Sequence, residues 1–134
     1  LSEAEGSPQQ VDAQGLEAAL FAPRHGVRVQ ALVAKNTQAR AVGALLYYAG
    51  YDTLSGSYGY HLADMVVEKT FRRQGIGRQL LHALAARARA DAMVWVSLTV
   101  LRDNPEAQAF YQAVGMGEVP VKFLAAGRRT MAQW

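Results

Sequence analysis

A strand and a helix are predicted to meet at the basic stretch Arg72-Arg73-Gln74-Gly75-Ile76-Gly77-Arg78. Residues 60–67 before it are mostly apolar and predict a strand, whereas residues 79–90 after it repeat apolar side chains at helical spacing. The two glycines therefore stand where the helix begins. Because a helix start leaves about four backbone N–H groups without internal partners and carries the positive end of the helix dipole, this junction favours a pyrophosphate ligand.

Two well-known glycine-rich phosphate loops do not fit this stretch. A dinucleotide-binding fingerprint would need a third glycine three residues after Gly77, where Leu80 stands, and no Gly-Lys-Ser or Gly-Lys-Thr follows for a P-loop. The alternative interpretation is a plain strand-to-helix turn that tolerates glycine and is basic without holding a ligand.

The composition describes one globular domain, residues 1–134. Hydrophobic residues make up 51% of the chain and charged residues 19%, and a chain of 134 residues is long enough to bury one core. The chain has no cysteine, which excludes disulfides, thiolate metal sites and a cysteine nucleophile, and we expect no metal site. It has no apolar run of about 20 residues and no signal pattern, so we expect a cytoplasmic protein without a membrane segment.

Positive charge is concentrated around the glycines. The net charge is only +3, yet six of the fourteen Lys and Arg residues lie between positions 69 and 89. This surplus suits a small ligand with several phosphates, whereas a long nucleic acid would call for a broader basic face with exposed stacking aromatics. We therefore expect no nucleic-acid partner.

Periodicity and turn residues predict the other elements. They are a helix from an N-cap at Asp12 to Leu20, strands at 27–34, 41–48, 58–67 and 93–100, helices at 76–90 and 105–114, and a last strand or two within 118–124. Asn104 and Pro105 fit the N-cap and first position of the helix at 105–114. This order of elements implies a mixed sheet with helices on its faces.

Two motifs in this chain resemble those of one known family. The Arg-x-x-Gly-x-Gly pattern of residues 72–77 resembles the acetyl-CoA signature of the GNAT N-acetyltransferase superfamily. Residues 104–111 match its Asn-x-x-Ala-x-x-Phe-Tyr pattern, at the usual separation from the first motif. The resemblance covers roughly residues 11–116. Similarity to the diamine and thialysine acetyltransferase branch is carried by residues 20–23, 44–48, 51–53 and 56.

The resemblance implies the GNAT fold, an α/β (α+β) arrangement in which a mixed central sheet is flanked by helices on both faces. Family members normally begin with a further strand and helix, and this chain starts near the point where that first helix would end, without an initiator methionine. A fold without those elements would have an exposed sheet edge and a helix-sized apolar face.

Acetyl-CoA is the cosubstrate that the resemblance implies. Its pantetheine arm would pair with the exposed backbone of Met65, Val66 and Val67, where a backbone N–H would also stabilise the oxyanion. Tyr111 is the candidate general acid for the departing thiolate, or alternatively a core aromatic. Asn104 is expected to be an N-cap that also shapes the coenzyme pocket. The pyrophosphate would be bound by Arg72, Arg73, Gln74, Gly75, Ile76, Gly77 and Arg78.

A general base is harder to assign. Presenting an aliphatic amine as its free base at pH 7 costs about 4.6 kcal/mol, so assistance is expected. The diamine and thialysine branch carries a Glu-Asp pair where this chain has Ala63 and Asp64. Strand alternation predicts His61 on the face of Ala63 and Met65, so His61 is either the base or a histidine satisfied by polar neighbours. Asp64, predicted on the opposite face, either holds a cationic substrate or supports neighbouring strands.

Three classes of function remain open. The resemblance implies a homodimeric N-acetyltransferase that acts on a primary amine of a small amine or amino-acid-like acceptor, or on a protein lysine or N-terminus. A non-catalytic acyl-CoA-binding domain, acting as a sensor or partner module, is favoured by Ala63. A nucleic-acid-binding module would use the same basic stretch, and its affinity would fall steeply with salt.

Overall fold

The computed structural model describes residues 13–22 and 24–134. This part of the chain also contains a 3-10 turn at Lys69–Phe71. Its helices and strands, in chain order, are α1 (Ala13–Phe21), β1 (Gln30–Lys35), β2 (Ala41–Asp52), β3 (Ser57–Val67), α2 (Ile76–Ala90), β4 (Trp95–Leu98), α3 (Pro105–Ala113) and α4 (Arg128–Met131). None of these helices is long and apolar enough to cross a membrane.

The strands form one four-stranded mixed sheet in the order β1-β2-β3-β4. β2 is antiparallel to both β1 and β3, whereas β3 and β4 are parallel. A parallel pair needs a crossover connection, and α2 supplies it between β3 and β4. The predicted mixed sheet is therefore confirmed. In the described part of the chain β1 has only β2 as a neighbour.

The core lies between the sheet and one face of α2. The helix contributes three buried residues spaced four apart, of which Leu84 is only 1% exposed. They pack against buried strand residues that include Leu45 and Leu62. This spacing is that of an amphipathic helix with one apolar stripe, which fixes the orientation of α2 on the sheet. The three residues are Leu80, Leu84 and Ala88.

The C-terminal end of α2 is tied to β3 by hydrogen bonds. Asp91 follows the last turn of α2, and its Oδ2 accepts a hydrogen bond from the Tyr60 hydroxyl on β3. Arg87 Nε donates to the same oxygen at 2.7 Å. With this end fixed, the N-terminal end of α2 is held near the last residues of β3.

Most predicted elements are confirmed within a few residues. Helix α2 has its predicted bounds, and α3 begins at Pro105 as predicted but ends one residue early. β1 begins three residues late, and β2 extends four residues further than predicted. The extension ends at Asp52, whose carboxylate accepts the N–H groups of Leu54 and Ser55 and so closes a tight turn into β3. The N-cap predicted at Asp12 lies outside the described residues.

The strand predicted within 118–124 is wrong. These residues form no strand, and the side chains of Val121, Phe123 and Leu124 are exposed. Pro120 interrupts the segment, because proline has no N–H to donate to a neighbouring strand. Alternating apolar side chains are therefore not sufficient for a strand at this position.

Candidate functional site

The loop before α2 presents a continuous row of free backbone amides. Gly75 is the N-cap of α2 with a φ of 80°, and Arg73 also has a positive φ, 61°. Within residues 24–134 the N–H groups of residues 73–78 have no acceptor, and the next amide, of Gln79, donates to Gly75 O at 3.0 Å. Left-handed backbone costs a residue such as Arg73 about 1–2 kcal/mol, so this turn stores local strain. Adjacent donors at a helix start form a site for phosphate oxygens.

Cationic side chains surround this row of amides. Arg72, Arg73 and Arg78 are exposed, and the ion pairs of the described residues involve none of them. The side chain of Gln74 is exposed as well and can donate through its amide. Ile76 differs from the others, because its side chain packs against the core and only its N–H faces the loop. This arrangement of main-chain donors and unneutralised positive charge is suited to an anionic ligand.

The two glycines of the loop serve different local purposes. Gly75 needs its left-handed φ, and a Cβ there would meet nothing within 4 Å. Gly77 lies against α3 and β3, since a Cβ on it would come within 3.2 Å of Phe110 Cζ and 3.6 Å of Met65 Cε. Gly77 thereby lets α3 and β3 approach the start of α2. The amide row is connected to these elements through this contact.

β3 and β4 separate beside the loop. Their last paired residues are Leu62 and Leu98, because β4 spans only Trp95–Leu98 and not the predicted 93–100. β3 continues to Val67 with β2 as its partner. The edge of β3 that faces away from β2 is thereby open over its last residues.

The main chain of Met65 and Val67 points into this opening. Glu68 N–H donates to Val42 O at 2.9 Å, which continues the register of β2 and β3. Since hydrogen bonds in an antiparallel pair alternate, Val66 turns its N–H and C=O toward β2, whereas its two neighbours turn theirs away. The pantetheine arm was predicted to pair with the backbone of three residues. The backbone N–H and C=O of Met65 and Val67 lie on the open edge, whereas those of Val66 face β2.

Both of these main-chain groups already have side-chain partners. Arg72 Nε donates to Val67 O at 3.0 Å and ties the end of β3 to the amide row. Met65 N–H donates to Oδ1 of Asp64, its own neighbour, at 2.8 Å. The Met65 N–H, which points into the opening, therefore already donates a hydrogen bond to a carboxylate in this structure.

A β-bulge at Ala63 changes which side chains share a face of β3. Leu46 lies opposite Asp64, whereas the next residue, Tyr47, lies opposite Leu62. Ala63 is therefore an extra residue with no partner on β2. Beyond this point the alternation of side chains is shifted by one residue.

The predicted faces of β3 are wrong as a consequence. Simple alternation grouped His61 with Ala63 and Met65 and put Asp64 on the other face. In the structure Met65 packs against the core beneath α2, while His61 and Asp64 share the opposite face. The bulge depends on pairing with β2, so the residues of β3 alone do not reveal it.

His61 lies in a polar and aromatic cluster on that face. Its Nδ1 lies 3.1 Å from Ser97 Oγ, and its ring centroid lies 5.2 Å from that of Tyr48. Burial lowers the pKa of His61 below its ordinary value, so the ring is neutral at pH 7. In the tautomer in which Nδ1 donates to Ser97, Nε2 carries a lone pair that can accept a proton.

Trp95 borders this cluster and was missed by sequence reasoning, as Ser97 was. A Cβ on Gly59 would lie 2.0 Å from Trp95 Cδ2, so the indole lies flat over that glycine, and its far edge reaches Gly50. The Nε1 of Trp95 is buried and has no acceptor among the described residues. Two features of the sequence could have indicated these residues. Trp95 and Ser97 alternate along β4, and a glycine, Gly59, stands opposite the indole.

Helix α3 carries Tyr111 within electrostatic reach of Asp64. The side chain of Asn104 accepts the Ala107 N–H at 3.1 Å, which confirms it as the N-cap of α3. Tyr111 is half-buried, and burial together with the negative charge of Asp64 raises the pKa of its phenol. The hydroxyl therefore keeps its proton at neutral pH. The negative charge of Asp64 therefore acts on the Tyr111 phenol. No hydrogen bond among the described residues joins Tyr111 to His61.

Comparison with known proteins is consistent with this arrangement. Residues 3–116 match the sequence profile described as "Acetyltransferase (GNAT) family". The chain is 38% identical over 72 residues to the thialysine N-epsilon-acetyltransferase of Caenorhabditis elegans, a match that covers 54% of this chain and 44% of that relative. It is 35% identical over 86 residues to the N-alpha-acetyltransferase RimI of Mycobacterium tuberculosis, which covers 63% and 52% respectively. The chain spans about half the length of these relatives.

A solved structure shares the fold. The integron cassette protein VCH_CASS6 from the mobile metagenome of V. cholerae superimposes with a TM-score of 0.76 at 23% identity. The superposition covers 92% of this chain and 77% of that protein. Since so much of the sheet and its helices superimposes, the arrangement of strands described above is that of a known fold.

Proposed function

This chain belongs to the acetyltransferase (GNAT) family and has the GNAT fold, and we propose that it transfers an acetyl group from acetyl-CoA to a primary amine. The observation that carries the proposal is the row of free N–H groups at residues 73–78, next to the open edge of β3. A ligand with a pyrophosphate and an extended arm of amides fits these two features together. The acceptor we propose is a small amine or an amino-acid-like molecule.

The donor is bound at the start of α2 and along β3. Phosphate oxygens accept from the amide row, and the exposed guanidinium groups of Arg72, Arg73 and Arg78 neutralise their charge. The pantetheine amides pair with the main chain of Met65 and Val67 at the open edge of β3. The acetyl carbonyl then accepts from Met65 N–H, which polarises the thioester.

Direct attack on the thioester needs three protein groups. The amine nitrogen attacks the carbonyl carbon, and Met65 N–H stabilises the negative charge that develops on oxygen. The C–S bond then breaks, and Tyr111 donates its proton to the departing thiolate. Burial and the charge of Asp64 raise the pKa of Tyr111, so the phenol carries its proton at neutral pH.

His61 is the proposed base for the proton that the amine loses. Its lowered pKa keeps it neutral at pH 7, and Ser97 orients the ring by its contact with Nδ1. Asp64 lies on the same face of β3 and supplies the negative charge that attracts an ammonium group. The aromatic rings of Tyr48 and Trp95 on this face offer cation–π contacts to the acceptor's stem.

The small-amine acceptor is also supported by the name of one relative, a thialysine N-epsilon-acetyltransferase. The experiment is acetyl-CoA-dependent thiol release at pH 8 with diamines, lysine, thialysine, aminoglycosides and a lysine peptide. Turnover with one of the small amines, strongly reduced in Tyr111→Phe, supports the proposal, whereas turnover with the lysine peptide alone contradicts the small acceptor. No turnover with any of them, while acetyl-CoA still binds, contradicts an amine acetyltransferase of this acceptor class.

A second candidate is an acyl-CoA-binding domain without turnover. The observation that favours it is Ala63, an exposed residue in the bulge where the diamine and thialysine branch carries a carboxylate. Such a domain would keep the amide row and the open edge of β3. It predicts that acetyl-CoA binds with ordinary affinity and that Tyr111→Phe changes nothing measurable.

We also propose a homodimer and a cytoplasmic location. The edge of β1 and the exposed apolar side chains of Val121, Phe123 and Leu124 offer surface for a second copy. Light scattering after size-exclusion chromatography tests the dimer, and a single mass of one chain would contradict it.

A further inference from the structure

The carboxylate of Asp64 accepts a hydrogen bond from Met65 N–H. In the proposed function, the same N–H donates to the acetyl carbonyl. Met65 N–H donates to Asp64 Oδ1 at 2.8 Å, and this N–H points into the opening between β3 and β4. The opening therefore contains a negative charge at the position of the future oxyanion. Acetyl-CoA cannot place its carbonyl there while Asp64 remains.

We propose that Asp64 competes with the acetyl carbonyl for Met65 N–H and is drawn away by the cationic acceptor. The inference rests on the proposed function, and it adds a positioning role for Asp64 that makes the two substrates help each other to bind. Asp64 then takes the ammonium group as a new partner, and Met65 N–H becomes free for the acetyl group.

The strengths of the hydrogen-bond acceptors explain why the exchange needs the second substrate. A carboxylate accepts a hydrogen bond more strongly than a neutral thioester carbonyl does, so acetyl-CoA alone displaces Asp64 poorly. The oxyanion of the tetrahedral intermediate is charged, as the carboxylate is, and binds the same N–H equally well. The exchange is therefore unfavourable for acetyl-CoA alone, and a second interaction that compensates the displaced carboxylate is needed to complete it.

The surroundings of Asp64 allow it to move. Its side chain is exposed, and Met65 N–H is its only hydrogen-bond partner among the residues that the structure describes. Ala63 beside it is exposed and small, so the carboxylate can swing without a clash. Asp64 shares its face with His61, and its negative charge reaches Tyr111. Rotation about the side chain thus moves the charge from the thioester position toward the acceptor.

A specific consequence follows for substrates. If an ammonium group releases Met65 N–H, then acceptor binding strengthens acetyl-CoA binding, and by linkage acetyl-CoA strengthens acceptor binding to the same degree. A neutral acceptor of the same shape leaves the carboxylate in place. Asp64 then selects acceptors that arrive with a positive charge.

Calorimetric titration of acetyl-CoA and of free CoA tests the competition. Free CoA has no thioester carbonyl, so it serves as an internal control for every effect other than the contact with Met65 N–H. In Asp64→Ala we expect acetyl-CoA to bind about fivefold more tightly relative to CoA than in the wild type. Asp64→Asn keeps the shape and an uncharged acceptor, so its ratio should lie between the two.

Kinetics supply the second readout. In Asp64→Ala the KM for the amine should rise while the KM for acetyl-CoA falls, a split that a merely structural role of Asp64 would not produce. An unchanged ratio of acetyl-CoA to CoA affinity in Asp64→Ala overturns the competition and leaves the acetyltransferase proposal intact. Failure of the wild type to bind either ligand overturns the proposed function, and this inference with it.

Discussion

His61 Nδ1 and Ser97 Oγ lie 3.1 Å apart across the parallel pair of β3 and β4. The two residues are direct partners in the register, one pair before the strands separate. Their contact joins the strand that carries Met65 and Asp64 to the strand that precedes α3. It also orients the one histidine that lies on the face of the open edge, which leads to the first two predictions.

Replacing His61 with Gln should remove the acidic limb of the pH–rate profile. Because burial lowers the pKa of His61, this limb should lie below about pH 6.5 in the wild type. We expect kcat to fall about 100-fold at pH 7, as is typical for loss of a general base. The measurement is kcat between pH 5 and 9 at saturating amine. Ser97→Ala, which keeps the imidazole, should retain the limb; a wild-type limb that persists in His61→Gln would contradict the role.

Protonation of His61 should also weaken the fold. The pKa of His61 is lowered in the folded state, so below about pH 6.5 the unfolded chain binds more protons, and stability falls as the pH is lowered until the folded-state pKa is passed. Thermal unfolding between pH 5 and 8 should show this loss in the wild type and a smaller one in His61→Gln. His82→Gln, at an exposed position on α2, is the control and should follow the wild type.

Tyr111→Phe should reduce turnover without affecting donor binding. The change removes the proposed proton donor to the thiolate but keeps the ring, so we expect kcat to fall about 100-fold and the Kd for acetyl-CoA to stay the same. Thiol release and calorimetry measure the two quantities. Gln112→Ala, an exposed neighbour on α3, should leave both unchanged. Equal turnover by Tyr111→Phe and the wild type would exclude Tyr111 as the acid.

Gly75→Ala should weaken both the loop and its ligand. A Cβ at a φ of 80° costs about 1–2 kcal/mol, and relief of this strain would turn the free amides of residues 73–78 away from a common ligand. We expect a lower Tm and CoA binding at least tenfold weaker. Gly117→Ala is a matched control, because Gly117 has no positive φ and nothing within 4 Å of the added Cβ. If the two variants bind CoA equally, the loop is not a phosphate site.

Gly59→Ala should destabilise the face that carries His61. The new Cβ would lie 2.0 Å from Trp95 Cδ2, and the indole has to move, which costs about 3 kcal/mol. Gly50→Ala meets only the far edge of the same ring, at 3.1 Å, and should cost less. Urea unfolding measures both, and near-ultraviolet circular dichroism reports the position of Trp95. Equal stability of the two variants would contradict the stacking.

Local sequence features predicted much of the fold and the start of α2. Gly75 and Gly77 were placed correctly at the start of α2, since left-handed backbone and helical periodicity are properties of a few adjacent residues. The N-cap at Asn104 was predicted correctly for the same reason. The last strand, within 118–124, was predicted incorrectly because a strand exists only where another strand pairs with it.

Strand pairing decided which side chains share the face of β3 that carries His61. A single extra residue, Ala63, moved Asp64 onto the face of His61 and turned Met65 toward the core. The bulge follows from how β2 and β3 align, which is a contact between residues distant in the chain. The candidate site residues were therefore proposed from neighbours in sequence, whereas the pairing of β2 with β3 decided which of them share a face of the sheet.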